Sequence, residues 1–200
     1  MPRVLSVAKE FVKLSLSGDE PDPLTNLRLQ KLLYYAQAWS LVIRESELFS
    51  DELEARPHGP VVPAAYHALS DGPIRAEALA GVPDLRHEEA EFVRRLWEAY
   101  SPYSALHLSK MVREEAPWLK AWGNQPRDGG GNNAISVIDL EDYFGGQTMP
   151  APLAAYGHEL RKRRGEAERR LAELAPLDIV RLTAAAKSFT PSTNVRIGGG

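Results

Sequence analysis

Leu32-Leu33-Tyr34-Tyr35-Ala36-Gln37-Ala38-Trp39-Ser40-Leu41-Val42-Ile43 carries no charge at any position. A helix on the surface of a domain shows a polar face every turn, whereas one that is apolar all round is enclosed on all sides. The run is too short to span a bilayer, which takes about 20 apolar residues. It therefore predicts the buried central helix of a globular domain. Thr25 is a good N-cap for that helix, which runs from Asn26 to about Ile43 with Arg28 and Lys31 as its charges, both in the first turns.

Working outward, helical periodicity dominates. Val4, Val7, Phe11, Val12 and Leu14 share one face of a first helix that stops near Ser17-Gly18, and Asp22-Pro23 is a turn. Downstream, residues 52–56 predict a short strand before Pro57, and His58-Gly59-Pro60-Val61-Val62-Pro63 a stiff turn. Two prolines there fix φ, and Gly59 precedes a proline. A short helix follows over 64–69, closed by Asp71-Gly72-Pro73. Asp84 is read as the cap of a longer helix with Leu85, Phe92, Val93, Leu96, Trp97 and Tyr100 on its apolar face. Ser101-Pro102 is read as the start of another, running through Leu106, Met111 and Val112 and ending before Pro117.

Trp118 and Trp122 share a helical face, Gln125 to Asn133 form a Gly-rich loop, and Ser136 with Asp139 predicts a capping box for a helix ending at Phe144-Gly145-Gly146. Beyond Pro150 and Pro152, Leu153, Leu160, Ala167 and Leu174 recur every seven residues with Tyr156 and Leu171 beside them. Arg163 and Arg170 charge the seam, which argues against an independent coiled coil. Residues 190–200 predict a frayed end. The fold expected is mainly α (α+β at most): a compact helical domain over 1–146, with a small β element, and a C-terminal helical extension over 147–200.

Composition narrows the function. The chain has 200 residues, 44% hydrophobic and 26% charged, the balance of a soluble globular protein. It lacks cysteine, which excludes disulfide scaffolds, thiol nucleophiles and iron–sulfur clusters. Its start leads into an amphipathic segment instead of a signal-peptide block, so a cytoplasmic protein without membrane contact is expected. Residues 1–150 hold 15 Lys+Arg against 22 Asp+Glu, a net −7, while 151–200 hold 9 against 5, a net +4. An acidic body disfavours nonspecific nucleic-acid binding, which depends on neutralising phosphates. Five histidines are scattered without metal-ligand spacing, and Gly129-Gly130-Gly131 lacks the Lys-Ser/Thr of a phosphate loop. No Gly-x-Ser-x-Gly elbow occurs. Glu114-Glu115 and Asp139/Glu141/Asp142 read as solvated faces, and Tyr34, Tyr35, Trp39, Trp97 and Trp118 as core. No enzyme, metal or cofactor is expected.

One cluster reads either as a tight connection or as a binding surface. The turn holding His58, Gly59, Pro60, Val61 and Val62, followed by Tyr66, joins strand to helix through residues of restricted backbone. As a preformed surface it would lose little entropy on binding a partner. In the tail, Arg161-Lys162-Arg163-Arg164 and Arg169-Arg170 make a basic helix. It is either a solvated face, a partner contact or a nucleic-acid contact.

Leu29-Gln30-Lys31-Leu32-Leu33-Tyr34-Tyr35-Ala36-Gln37-Ala38-Trp39, then Leu48-Phe49, then Glu54-Ala55-Arg56-Pro57-His58-Gly59-Pro60-Val61-Val62-Pro63 with Tyr66, resembles the Panacea-domain antitoxins, the SocA-like and phage-associated GepA-like proteins. Pro117-Trp118, Ala121-Trp122, Ile135-Ser136 and Tyr143-Phe144 follow in the same order, so the resemblance covers about 4–146. It implies a mostly helical domain with a small β element. It also implies an antitoxin that neutralises, by direct binding, a protein toxin encoded by the adjacent gene, in some members as an adaptor to a AAA+ protease. His58, Gly59, Pro60, Val61, Val62, Tyr66, Arg163 and Arg170 are the candidate partner-binding residues. The alternative is a transcriptional regulator or other nucleic-acid-binding protein acting through the basic tail.

Overall fold

The computed structural model describes residues 3–17, 21–69, 72–124 and 133–188, with side chains through 172. The Gly129–Gly131 loop, Gly18 and the end from 190 onward lie outside them. Eight α-helices and one hairpin make up the described fold: α1 Val4–Leu16, α2 Asn26–Arg44, β1 Glu54–Arg56, β2 Gly59–Val61, α3 Pro63–Ala68, α4 His87–Tyr100, α5 Ala105–Val112, α6 Ala116–Trp122, α7 Val137–Gly145 and α8 Ala151–Ser188. The mainly helical fold with a small β element, read from the sequence, is what forms.

The expected central helix is α2. Every residue from Leu29 to Leu41 is buried, and α1, α4, α5, α7 and the hairpin all pack against it. Thr25 caps it, its hydroxyl accepting from the Arg28 N–H. Its aromatic side holds the core together. Tyr35 stacks on Tyr100 at 4.2 Å, Trp39 meets Phe144 edge-on at 5.1 Å, and the Trp39 indole N–H donates to the Tyr100 hydroxyl at 2.7 Å. Such pairs add to simple burial because ring edges and faces carry opposite partial charge.

A fully buried helix must satisfy whatever polar groups it carries, and α2 uses them as anchors. The Gln37 side chain accepts from the Leu48 and Phe49 N–H groups at 3.0 and 3.2 Å and donates to the Phe49 carbonyl at 3.1 Å. It thereby holds the incoming loop as a neighbouring strand would. The Arg28 guanidinium pairs with Asp22, donates to the Ser101 carbonyl at 2.6 Å and lies over the Trp97 ring.

Several helix boundaries differ from the expectation. Asp84 does not cap α4; it pairs with Lys9 and Lys13 of α1 at 3.0 and 2.6 Å. The helix starts at His87, where Glu89 accepts from the Arg86 N–H and takes over the first turn. Helix α5 starts not after Ser101 but at Ala105, with the Ser104 hydroxyl as cap. Leu106, expected on its apolar face, points outward. Trp97 is only half-buried, since the Arg28 guanidinium covers it. Trp118 and Trp122 do share a face and stack at 5.3 Å, and the Ser136 hydroxyl caps α7, while the Asp139 carboxylate pairs with Lys120 instead of completing a capping box.

The chain divides into two compact units, Met1–Gly157 and His158–Gly200. The first unit reaches past residue 146 because Leu153 and Tyr156, in the first turns of α8, are buried, with the Tyr156 ring 5.8 Å from Phe92. In the second unit the helix is exposed over 161–164 and 166–172, Leu171 included, and Arg163 pairs with Glu159 one turn earlier. Leu174, the last heptad position, lies outside the described side chains. No helix among the described residues is long and apolar enough to cross a membrane.

Candidate functional site

The stiff turn is a β-hairpin. Strands β1 and β2 pair Glu54 with Val61, Ala55 with Pro60 and Arg56 with Gly59, leaving Pro57-His58 as a two-residue loop. Pro57 holds φ near −65°, which excludes the turns that need positive φ at the first loop position. The twist is taken up at Gly59 instead, where φ is 98°. The outer edge of β1 is covered as well: the Ala55 N–H donates to the Asn133 carbonyl and the Ile135 N–H to the Leu53 carbonyl.

Helix α2 fastens this hairpin and the helix after it through one row of side chains. Asn26 and Gln30, and beside them Leu27 and Lys31, are four apart and share a face. Gln30 accepts from the Val62 N–H at 2.8 Å and donates to Asn26 at 2.9 Å. Asn26 passes the chain on to the Tyr66 carbonyl in α3 at 3.0 Å and the Leu69 carbonyl just after it at 3.1 Å. The Lys31 ammonium donates to the Pro60 carbonyl at 2.8 Å. Trp118 closes the far side, its indole N–H donating to the Arg56 carbonyl at 3.2 Å.

Between these elements lies a groove of about 540 Å³. Asn26, Leu27, Gln30 and Lys31 form its floor, Pro57, His58, Val61 and Arg56 one wall, and Pro63, Tyr66, His67 and Leu106 the rest. Tyr66 is 39% exposed and Leu106 78% exposed. Of the candidate residues, His58, Val61 and Tyr66 line the groove. Gly59, Pro60 and Val62 are buried behind it and hold its shape, so Val62 presents no surface. Arg163 and Arg170 belong to the second unit and are exposed there. The sequence reading missed Lys31, Leu27, His67 and Leu106 as groove residues. Spacing of four along α2 was the available signal for the first two; nothing local marked Leu106.

Two ionisable groups are shifted by burial, Lys31 on the groove floor and Glu115 outside the groove lining. Lys31 is 0% exposed. Burial, with the Arg113 guanidinium adding to it, lowers its ammonium to about 7. Glu115, expected on a solvated face, instead sits largely enclosed just before α6 and accepts from the Tyr35 hydroxyl at 2.8 Å. Burial pushes its carboxyl up to about 7, with the neighbouring tyrosine hydroxyls holding it back. The buried Tyr34 hydroxyl lies beside the same Glu115 carboxylate. No group of three or more His, Asp or Glu placed to hold a metal ion occurs among the described residues.

These shifts set an unusual pH dependence. Folded Lys31 loses its proton at lower pH than it does in the unfolded chain, so stability rises with pH from about 7 toward 10.5. Folded Glu115 keeps its proton to higher pH than the unfolded chain does, so stability falls as pH rises from 4.5 toward about 7. The expected outcome is a stability minimum near pH 7 in urea unfolding followed by circular dichroism. Lys31→Met should remove the alkaline rise and Glu115→Gln the acid-side fall. A single stability maximum near neutrality would contradict both assignments.

Fold and site together define a helical domain that presents a rigid, largely apolar groove against a buried helix. Residues 29–119 match the family model described as antitoxin SocA-like, Panacea domain. The resemblance read from the motifs is thus matched over 29–119, a stretch shorter than the 4–146 expected. The match takes in the groove residues from Gln30 to Leu106, with Asn26 and Leu27 just ahead of it. No curated protein and no solved structure matches the chain.

Proposed function

We propose that this chain is the antitoxin of a two-gene toxin–antitoxin module and neutralises a protein toxin by direct contact, as a binding protein and not an enzyme. The toxin is taken to be the product of the adjacent gene, met in the cytoplasm. The observation that carries this reading is the groove: a surface fixed in advance by Gln30, Asn26 and Gly59, with Tyr66 and Leu106 exposed at its rim. A site already rigid keeps more of its contact energy for affinity. Delivery of the bound toxin to a AAA+ protease is a further step of the same reading.

Co-expression with the adjacent gene product should restore growth, and the two proteins should co-purify. Replacing Tyr66 and Leu106 together by Asp should leave the circular dichroism spectrum unchanged and abolish rescue, since neither side chain supports the core. A neighbour that is harmless alone, or that stays toxic beside abundant folded protein, overturns the reading. The exposed Arg161, Lys162, Arg163, Arg164, Arg169 and Arg170 of the second unit support a second contact, with the toxin or with nucleic acid. Such a contact would weaken steeply with salt.

A further inference from the structure

We propose that the groove recognises an anionic apolar segment of its protein partner, in which an aliphatic or aromatic side chain is flanked by an aspartate, a glutamate or a chain-terminal carboxylate. The inference rests on the antitoxin reading only in calling that partner a toxin. Its basis is the charge of the lining. Among the described residues, every ionisable acid–base side chain around the groove other than the Tyr66 phenol is basic, namely Lys31, Arg56, His58 and His67, and none of the described carboxylates lines it. This occurs on a body in which acids outnumber bases, 22 to 15 over residues 1–150. Arg56 has its counter-ion in Glu54 at 2.6 Å, but that carboxylate does not line the groove.

Lys31 makes the demand for negative charge specific. An ammonium has three donors, and its described hydrogen bond is to the Pro60 carbonyl, with no carboxylate in ion-pair contact among the described residues. Arg113 adds further positive charge nearby. A buried cation without a counter-ion is costly, and an anion brought into the adjoining groove offsets that cost through a low-dielectric path where Coulomb attraction is strong. The apolar half of the ligand follows from Leu27, Val61, Pro63, Tyr66 and Leu106, which offer no charge to solvate a polar chain. The volume suits a few side chains of a peptide.

The test is selection of a phage-displayed random dodecapeptide library on the immobilised full chain, followed by fluorescence anisotropy of the enriched peptides. The expected result is enrichment of sequences that place Asp or Glu within two residues of an apolar side chain. Replacing that acid by its amide should weaken binding at least tenfold, and Leu106→Asp should weaken it further. Lys31→Met, checked for fold by circular dichroism, should shrink the acid-over-amide preference while apolar binding persists. No enrichment, enrichment of basic or purely apolar peptides, or binding indifferent to Leu106→Asp overturns the proposal. So does a concentration-dependent dimer lost in Leu106→Asp, which would make a second copy of the chain the occupant. Growth rescue is scored separately, so a neighbour that needs no antidote defeats the antitoxin reading alone, and an unselective groove beside full rescue defeats this one alone.

Discussion

Trp39→Ala is expected to cost about 3–5 kcal/mol of unfolding free energy, the range for truncating a large aromatic in a packed core. Trp39 is 2% exposed at the middle of α2, so no rearrangement of surface residues can fill the space it leaves. Two further losses add to the cavity: the edge-on contact with Phe144, and the hydrogen bond to the Tyr100 hydroxyl. That hydroxyl would stay behind in an apolar setting without its indole donor. For a domain of this size the change corresponds to a fall in Tm on the order of 10 °C. Trp39→Phe separates the terms, keeping much of the ring volume while removing the donor, and should fall between wild type and Trp39→Ala. Thermal and urea unfolding of the three proteins measures this, and a Trp39→Ala midpoint equal to wild type would show that α2 is not the centre of the core.

Gly59→Ala should be nearly as damaging, though it adds only one methyl group. Gly59 has φ of 98°, where an L side chain is strained by roughly 1–3 kcal/mol. A Cβ built there would also lie 2.8 Å from Val112 Cγ2 and 3.0 Å from Lys31 Cε and Nζ. Val112 and Lys31 are both buried, so relieving the clash means shifting the hairpin off α2 and α5, an overpacking cost of about 1–3 kcal/mol more. The shift would also strain the Lys31 bond to Pro60 and the Gln30 bond to Val62, opening the groove floor. Loss of stability and loss of partner neutralisation are therefore expected together. Adding Val112→Ala to Gly59→Ala should recover part of the clash term but none of the backbone term. Two independent penalties that summed without any such recovery would mean that the clash is relaxed elsewhere.

The two positions differ in how they could be read. Trp39 sits in an unbroken apolar run, and local pattern alone says that such a helix is enclosed. Gly59 precedes Pro60 in a row of restricted residues, and that announces a rigid turn without saying what it packs against. The buried polar residues of α2 were harder. Lys31 and Arg28 look like first-turn surface charges because charge usually means solvent. Whether a charged side chain instead enters the core depends on acceptors such as the Pro60 and Ser101 carbonyls, which are 29 and 73 residues away in sequence. Glu115 escaped notice for the same reason, since its enclosure comes from Tyr35 across 80 residues.

By itself, then, the sequence determined the helical class, the central helix, a short strand before Pro57, the Thr25 and Ser136 caps and the Panacea resemblance. Each of these is written in neighbours a few residues apart, where periodicity, backbone restriction and capping chemistry act. Tertiary structure alone decided that Asp84 pairs with α1 instead of capping α4, and that Leu106 stands exposed beside Tyr66. It also turned Asn26, Gln30 and Lys31 into the struts and floor of a groove. Those outcomes depend on which distant groups meet. A residue's own type limits what it can bond but does not choose the partner, and that choice rests with the packing of α2 against everything around it.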